Sequence, residues 1–151
     1  MMRRWRLEWL SIAVTIVSAC DVSPGEAALM RNFQENKATY EELKNLLIAD
    51  TNLTVVGASG VQTVDSAIPM APPTADISAD RYEEYMNLLQ KVGGVRVSRS
   101  PGTELAVCIG VRARGWAGDI RHMNICWHER NPAHRGSTTR PIESGWYLEG
   151  E

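Results

Sequence analysis

The sequence predicts an α+β domain: two helices packed on one face of a small antiparallel sheet, after an N-terminal signal peptide. Three observations lead there. Apolar residues recur at helical steps at Leu29, Phe33, Tyr40, Leu43 and Leu47, and again at Tyr82, Tyr85, Met86, Leu89 and Val92. They alternate at period two later on, at Leu105, Val107, Ile109 and Val111 and at Met123, Ile125 and Trp127. The start of the chain follows neither rule: Arg3, Arg4 and Arg6 precede a short apolar run. With 151 residues, 44% hydrophobic and 23% charged, the chain has the composition of one globular domain. A net charge of -2 gives no footprint for nucleic acid.

The apolar run from Trp9 to Ser18 is shorter than the roughly 20 residues that cross a bilayer core. A basic start and a short apolar run make a secretory signal. Its end, Val17-Ser18-Ala19-Cys20, resembles the bacterial lipobox, with an aliphatic residue, two small residues and a cysteine. That resemblance implies a signal over residues 1–19, a lipidated Cys20, a tether over residues 20–23 and a domain over residues 24–151. Several acyl chains on Cys20 would anchor the protein where one alone would not. An ordinary secretory signal and an uncleaved anchor are the alternatives, and the short run disfavours the anchor. Asp21, next to the cysteine, resembles the enterobacterial signal for inner-membrane retention. The expected location is therefore the bacterial cell envelope, facing the periplasm, with Asp21 favouring the inner membrane.

The helices announce their ends. Ser23-Pro24-Gly25-Glu26 forms a capping box with proline at the first helical position. Thr39-Tyr40-Glu41-Glu42 is a second box, so the helix can break near Asn36 and restart before ending around Asp50. Ser78 caps the next helix, with Ile77 and Tyr82 at the spacing of a hydrophobic staple, and Gly93-Gly94 stops it. Pro69, Pro72 and Pro73 make residues 65–77 a loop, expected to be the most mobile one beyond the tether. Strands are expected near residues 53–56, 95–98, 103–112, 119–128 and 146–149, with a weaker candidate over residues 61–64.

The register of one hairpin can be argued. A three-residue loop takes glycine at its third position, and Trp116-Ala117-Gly118 supplies it. Facing residues then carry numbers that add to 234, and Val107, Ile109, Val111, Met123, Ile125 and Trp127 all fall on one face. A slip of one residue would destroy that agreement. The same register puts Cys108 opposite Cys126, in the pair type with the closer side chains. The chain has three cysteines, and with Cys20 lipidated the remaining two are an even pair in an oxidising compartment. A Cys108–Cys126 disulfide is the expectation; two buried, reduced thiols are the alternative.

Several segments together are similar to a loose set of small uncharacterised bacterial lipoproteins: Phe33-Gln34-Glu35-Asn36, Tyr40-Glu41-Glu42-Leu43, Ser78-Ala79-Asp80-Arg81-Tyr82-Glu83-Glu84-Tyr85 and Gly145-Trp146-Tyr147-Leu148. In that set two helices precede a small sheet and a Trp-Tyr strand closes the chain. The resemblance implies fold and location, and transfers no catalytic residue.

Candidate chemistry is sparse. His122, Cys126 and His128 share a strand face with Cys108 opposite, and cysteine and neutral histidine are zinc ligands. The spacing fits no standard zinc motif, and bonded cysteines cannot ligate, so no metal or other cofactor is expected. Neither a Gly-x-Ser-x-Gly elbow nor a phosphate loop is present. From Gly93 onward there are eight arginines and no lysine, for a net of +2, whereas residues 20–92 carry a net of -6. Arg112, Arg114 and Trp116 at the hairpin tip are the expected contacts for a partner, either anionic headgroups or another envelope protein. The sequence thus points to a non-enzymatic accessory or binding module at a membrane. A small periplasmic metal-dependent or hydrolytic enzyme using the histidine face is the alternative.

Overall fold

A computed structural model describes residues 25–100, 104–114, 120–132 and 139–150. The expectations placed on the signal, on Cys20 and Asp21, and on Trp116 and its loop lie outside these residues. Ten elements follow one another: α1 (Glu26–Glu35), α2 (Lys37–Ala49), β1 (Leu53–Gly57), β2 (Gly60–Thr63), α3 (Ala79–Val92), β3 (Gly94–Arg99), β4 (Ala106–Arg114), β5 (Ile120–His128), β6 (Thr139–Glu143) and β7 (Trp146–Gly150). All seven strands join one antiparallel sheet in the order β2-β1-β3-β4-β5-β7-β6. The fold is α+β, as the two periodicities predict.

The first helical stretch is two helices rather than one. The break falls at Asn36, whose side-chain amide donates to the Asn32 carbonyl at 3.1 Å. Asn36 caps the restart at Lys37, so Thr39 lies inside α2 rather than at its cap. At the start of α1, Gly25 occupies the capping position without a side-chain bond. Helix α3 follows its sequence signals closely. The Ser78 hydroxyl accepts from the Arg81 amide at 3.2 Å, and Gly93 ends the helix in the left-handed region at φ 66°.

The helices lie on one face, with α2 and α3 packed on β3, α3 also on β1 and α2 also on β4. Between the layers sit Leu43, Leu47, Leu89, Val97, Val107, Ile109, Ile125 and Leu148, all buried. Phe33 and Tyr40 stack against Trp146, with ring centroids 5.2 and 6.1 Å away, so three aromatics close one end of the core. Each polar tip is satisfied: Tyr40 Oη donates to Asn32 Oδ1 and Trp146 Nε1 donates to Glu41 Oε1, both at 2.8 Å.

The β4–β5 ladder follows the predicted register over nine pairs, from Ala106↔His128 to Arg114↔Ile120. Strand β6 was not expected. It is five residues long, contains Pro141 and forms one rim of the sheet, where proline is tolerated. At the opposite rim, Met70 pairs with Val61 through two backbone hydrogen bonds of 2.8 and 2.9 Å. Residues 65–77 therefore include a strap along β2 as well as irregular chain. Gly60, at φ 113°, makes this possible: a Cβ there would stand 2.4 Å from the Met70 carbonyl oxygen.

Candidate functional site

Alternation sends every second strand residue away from the helices. The outward set includes Arg96 and Ser98 from β3, Cys108 and Gly110 from β4, Asn124, Cys126 and His128 from β5, and Tyr147 and Glu149 from β7. Four neighbouring strands place these side chains side by side. Among the described residues no helix covers this face.

Cys108 and Cys126 are bonded to each other across β4 and β5, with their Cα atoms 4.0 Å apart. This is the narrow kind of antiparallel pair. Cys126 is fully buried and Cys108 partly so. Glu149 comes from the neighbouring strand, where it pairs with Asn124. Its carboxylate and the two sulfurs lie within 4.8 Å of one another. His128 Nε2 stands 2.8 Å from Glu149 Oε1. An ionised carboxylate only accepts, so that ring nitrogen carries the proton of the bond.

His128 is buried although it faces away from the helices. The ladders on both sides continue to it: the His128 amide donates to the Gly145 carbonyl at 2.8 Å and the Glu129 amide to the Leu105 carbonyl at 3.0 Å. The Tyr147 ring meets His128 edge-on at 5.5 Å, and its hydroxyl donates to Asn131 Oδ1 at 3.2 Å. One end of the face is thus ordered by polar contacts. Farther along, Gly110 leaves room for Arg96, whose Cγ would lie 3.1 Å from a Cβ at that position; Asn124 Oδ1 would lie 3.3 Å away.

Of the alternative metal set His122, Cys126 and His128, two side chains are described. His122 pairs with Arg112 in the ladder, and only its backbone is described. Cys126 is in the disulfide, and His128 turns to Glu149. The cluster that forms is Cys108, Cys126 and Glu149. Glu149 is the residue that sequence reasoning missed. Its outward direction follows from Trp146 and Leu148 being core residues, but no local signal says that β7 lies beside β5. Of the expected partner contacts, Arg112 and Arg114 lie at the end of β4, with only their backbones described, and Trp116 lies outside the described residues.

A second polar locus joins α2 to α3. Asp50 accepts from Arg81 Nε at 2.9 Å, Arg81 Nη2 at 3.2 Å and Tyr85 Oη at 2.8 Å. Burial, then the bond to Asp50, pushes the Tyr85 phenol far above its ordinary range, while Asp50 holds the Arg81 guanidinium firmly charged. Asp50, Thr51, Asn52 and Asp76 line a hollow of about 220 Å³ beside it. A shallower groove of about 400 Å³ runs along the helices past Glu42, Asp80, Glu83, Glu84 and Lys91. Both are predominantly acidic, and Arg81 is already engaged with Asp50 and Glu84, so this locus reads as the joint between two helices.

Among the described residues no helix is long and apolar enough to cross a membrane. Compared with protein-family models, with curated proteins and with solved structures, the chain finds no match.

Proposed function

We propose that the protein is a lipid-anchored lipoprotein of the bacterial cell envelope, a non-enzymatic accessory or binding module that faces the periplasm. The observation that carries this reading is the disulfide between Cys108 and Cys126. Of the three cysteines, two are bonded to each other and the third sits in the lipobox-like Val17-Ser18-Ala19-Cys20. Disulfides persist in oxidising compartments, and the lipobox cysteine is the residue that receives lipid. The helix-free face is the natural docking surface: it is polar, braced at its centre by the disulfide and ordered at one end by the His128 contacts. Arg112, Arg114 and Trp116 belong to the hairpin between its two middle strands, where acidic proteins or anionic headgroups would be met.

A second reading, a small periplasmic metal-dependent or hydrolytic enzyme, draws on one observation, the His128–Glu149 bond beside the two sulfurs.

The lipoprotein reading is tested at Cys20. Wild-type chain expressed in a bacterial host should take up a palmitate analogue and fractionate with membranes. Cys20→Ala should accumulate as unprocessed precursor and lose the label. Normal labelling of the variant refutes the assignment.

A further inference from the structure

We propose that Cys108, Cys126 and Glu149 form a thiol-dependent site for a thiophilic divalent cation of the zinc class, closed while the sulfurs are bonded to each other and open once a dithiol has reduced them. The inference does not depend on lipid at Cys20.

Geometry is the first ground. The three ligand atoms lie within 4.8 Å of one another. A tetrahedral zinc with bonds of about 2.3 Å holds its ligand atoms roughly 3.8 Å apart, so the freed sulfurs must swing apart and the carboxylate draw in by about 1 Å, movements within the reach of side-chain rotation. The arrangement does not need the sulfur–sulfur bond to hold it. Cys108 and Cys126 are set opposite each other by nine consecutive ladder pairs between β4 and β5, and Glu149 by the β5–β7 ladder. Reduction leaves those backbone bonds in place.

Chemistry is the second ground. Two thiolates favour zinc over magnesium or calcium, which prefer oxygen. His128 holds the Glu149 carboxylate by a 2.8 Å hydrogen bond, the kind of outer partner that orients a ligating carboxylate. His128 is itself held against the Tyr147 ring, with its side chain 5% exposed. Cys126 forms the floor, and the half-buried Cys108 and Glu149 leave the approach open from solvent. Three protein ligands leave the fourth tetrahedral position to water, the pattern of reactive rather than structural zinc.

The balance is simple. A dithiol gives two electrons and two protons to the Cys108–Cys126 bond and becomes a disulfide. The cation then displaces the two thiol protons and binds both sulfurs. A disulfide of the oxidising compartment takes two electrons from the thiolates and, with two protons, becomes a dithiol; the Cys108–Cys126 bond re-forms and the ion is released.

Cobalt(II) is the probe, since thiolate ligation gives it charge-transfer absorption. The full-length chain carrying Cys20→Ala, held in detergent, contains only the two sheet sulfurs. Reduced with a dithiol, freed of it under anaerobic conditions and titrated, it should bind one cobalt per chain with thiolate-to-cobalt and tetrahedral bands. Zinc should abolish those bands, and oxidised protein should show none. Glu149→Gln should weaken cobalt binding by about tenfold or more while the thiolate bands remain. Absence of thiolate bands in reduced, folded protein overturns the proposal, as does identical binding by the Cys108→Ser/Cys126→Ser double variant. Unchanged affinity in Glu149→Gln overturns the ligand set. If reduction melts the sheet, circular dichroism decides: refolding on addition of cobalt supports the site, and failure to refold overturns it.

Discussion

Glu41 shows how one side chain can join two layers. It lies on α2, one residue after the buried Tyr40. Its Oε1 accepts from the Trp146 indole at 2.8 Å, and its Oε2 pairs with Lys44. Lys44 in turn sits 4.9 Å above the Trp127 ring. The carboxylate thus ties the helix to both tryptophans of adjacent strands. Burial raises its pKa, but the bonds from Lys44 and Trp146 outweigh burial and leave it below the ordinary glutamate range. A carboxyl lowered in the folded state stabilises above the unfolded pKa, and that stability is lost as the pH falls through the folded one. Wild-type protein should therefore lose stability progressively below about pH 4.5, in part through Glu41. Glu41→Gln should cost about 1 kcal/mol at neutral pH, the size of one partly exposed charged hydrogen bond, and should flatten the acid limb. Urea unfolding at a series of pH values checks both. An acid limb as steep in the variant as in wild type would mean the titrating group lies elsewhere. None of this was legible in the sequence. Glu41 looked like a spacer inside a capping box, and its partner Trp146 lies 105 residues away.

At the scale of elements, legibility depended on how local the deciding physics was. Helix α3 could be placed because Ser78 and Gly93 act within a turn of its ends. The β4–β5 register could be placed because a short loop and an alternating face constrain it together. The Asn36 break was anticipated in position, but its mechanism was assigned to Thr39, which lies inside the restarted helix. Strand β6 was invisible for a physical reason. Thr139-Arg140-Pro141-Ile142-Glu143 lacks alternation and contains a proline, and its strand character comes from β7 beside it. The disulfide belongs to this scale as well. It closes a loop with a sequence separation of 18, for which chain entropy gives on the order of 3 kcal/mol. The hairpin is also held by its own ladder, so Cys108→Ala/Cys126→Ala should cost roughly 1–3 kcal/mol in denaturant unfolding. Thiol titration of denatured, unreduced periplasmic protein should find neither cysteine free. Two free thiols would remove the cross-strand bond from the fold.

The whole molecule is two layers, and the sequence order of its strands hides their neighbours. Strand β7 lies between β5 and β6, and β3 between β1 and β4. Both placements join residues far apart in the chain, and no local pattern encodes them. The same topology decides what happens at the two rims. At one, the strap residue Met70 occupies the free side of β2 because Gly60 lets it approach. Gly60→Val should push the strap away, since the added side chain meets the Met70 carbonyl in a backbone region that branched residues avoid. The expected outcome is a lower melting temperature together with faster aggregation, followed by light scattering. A variant that melts early without aggregating would show that the strap stabilises but does not shield. At the other rim, Pro141 removes a donor from the middle of a five-residue strand, and the exposed Arg140 beside it pairs with Glu26. A sheet of seven strands with two bare rims would be an open-ended ribbon, able to recruit copy after copy into a fibre. Here each rim is closed by a different device, so even a dense population of these molecules would meet face to face rather than strand to strand.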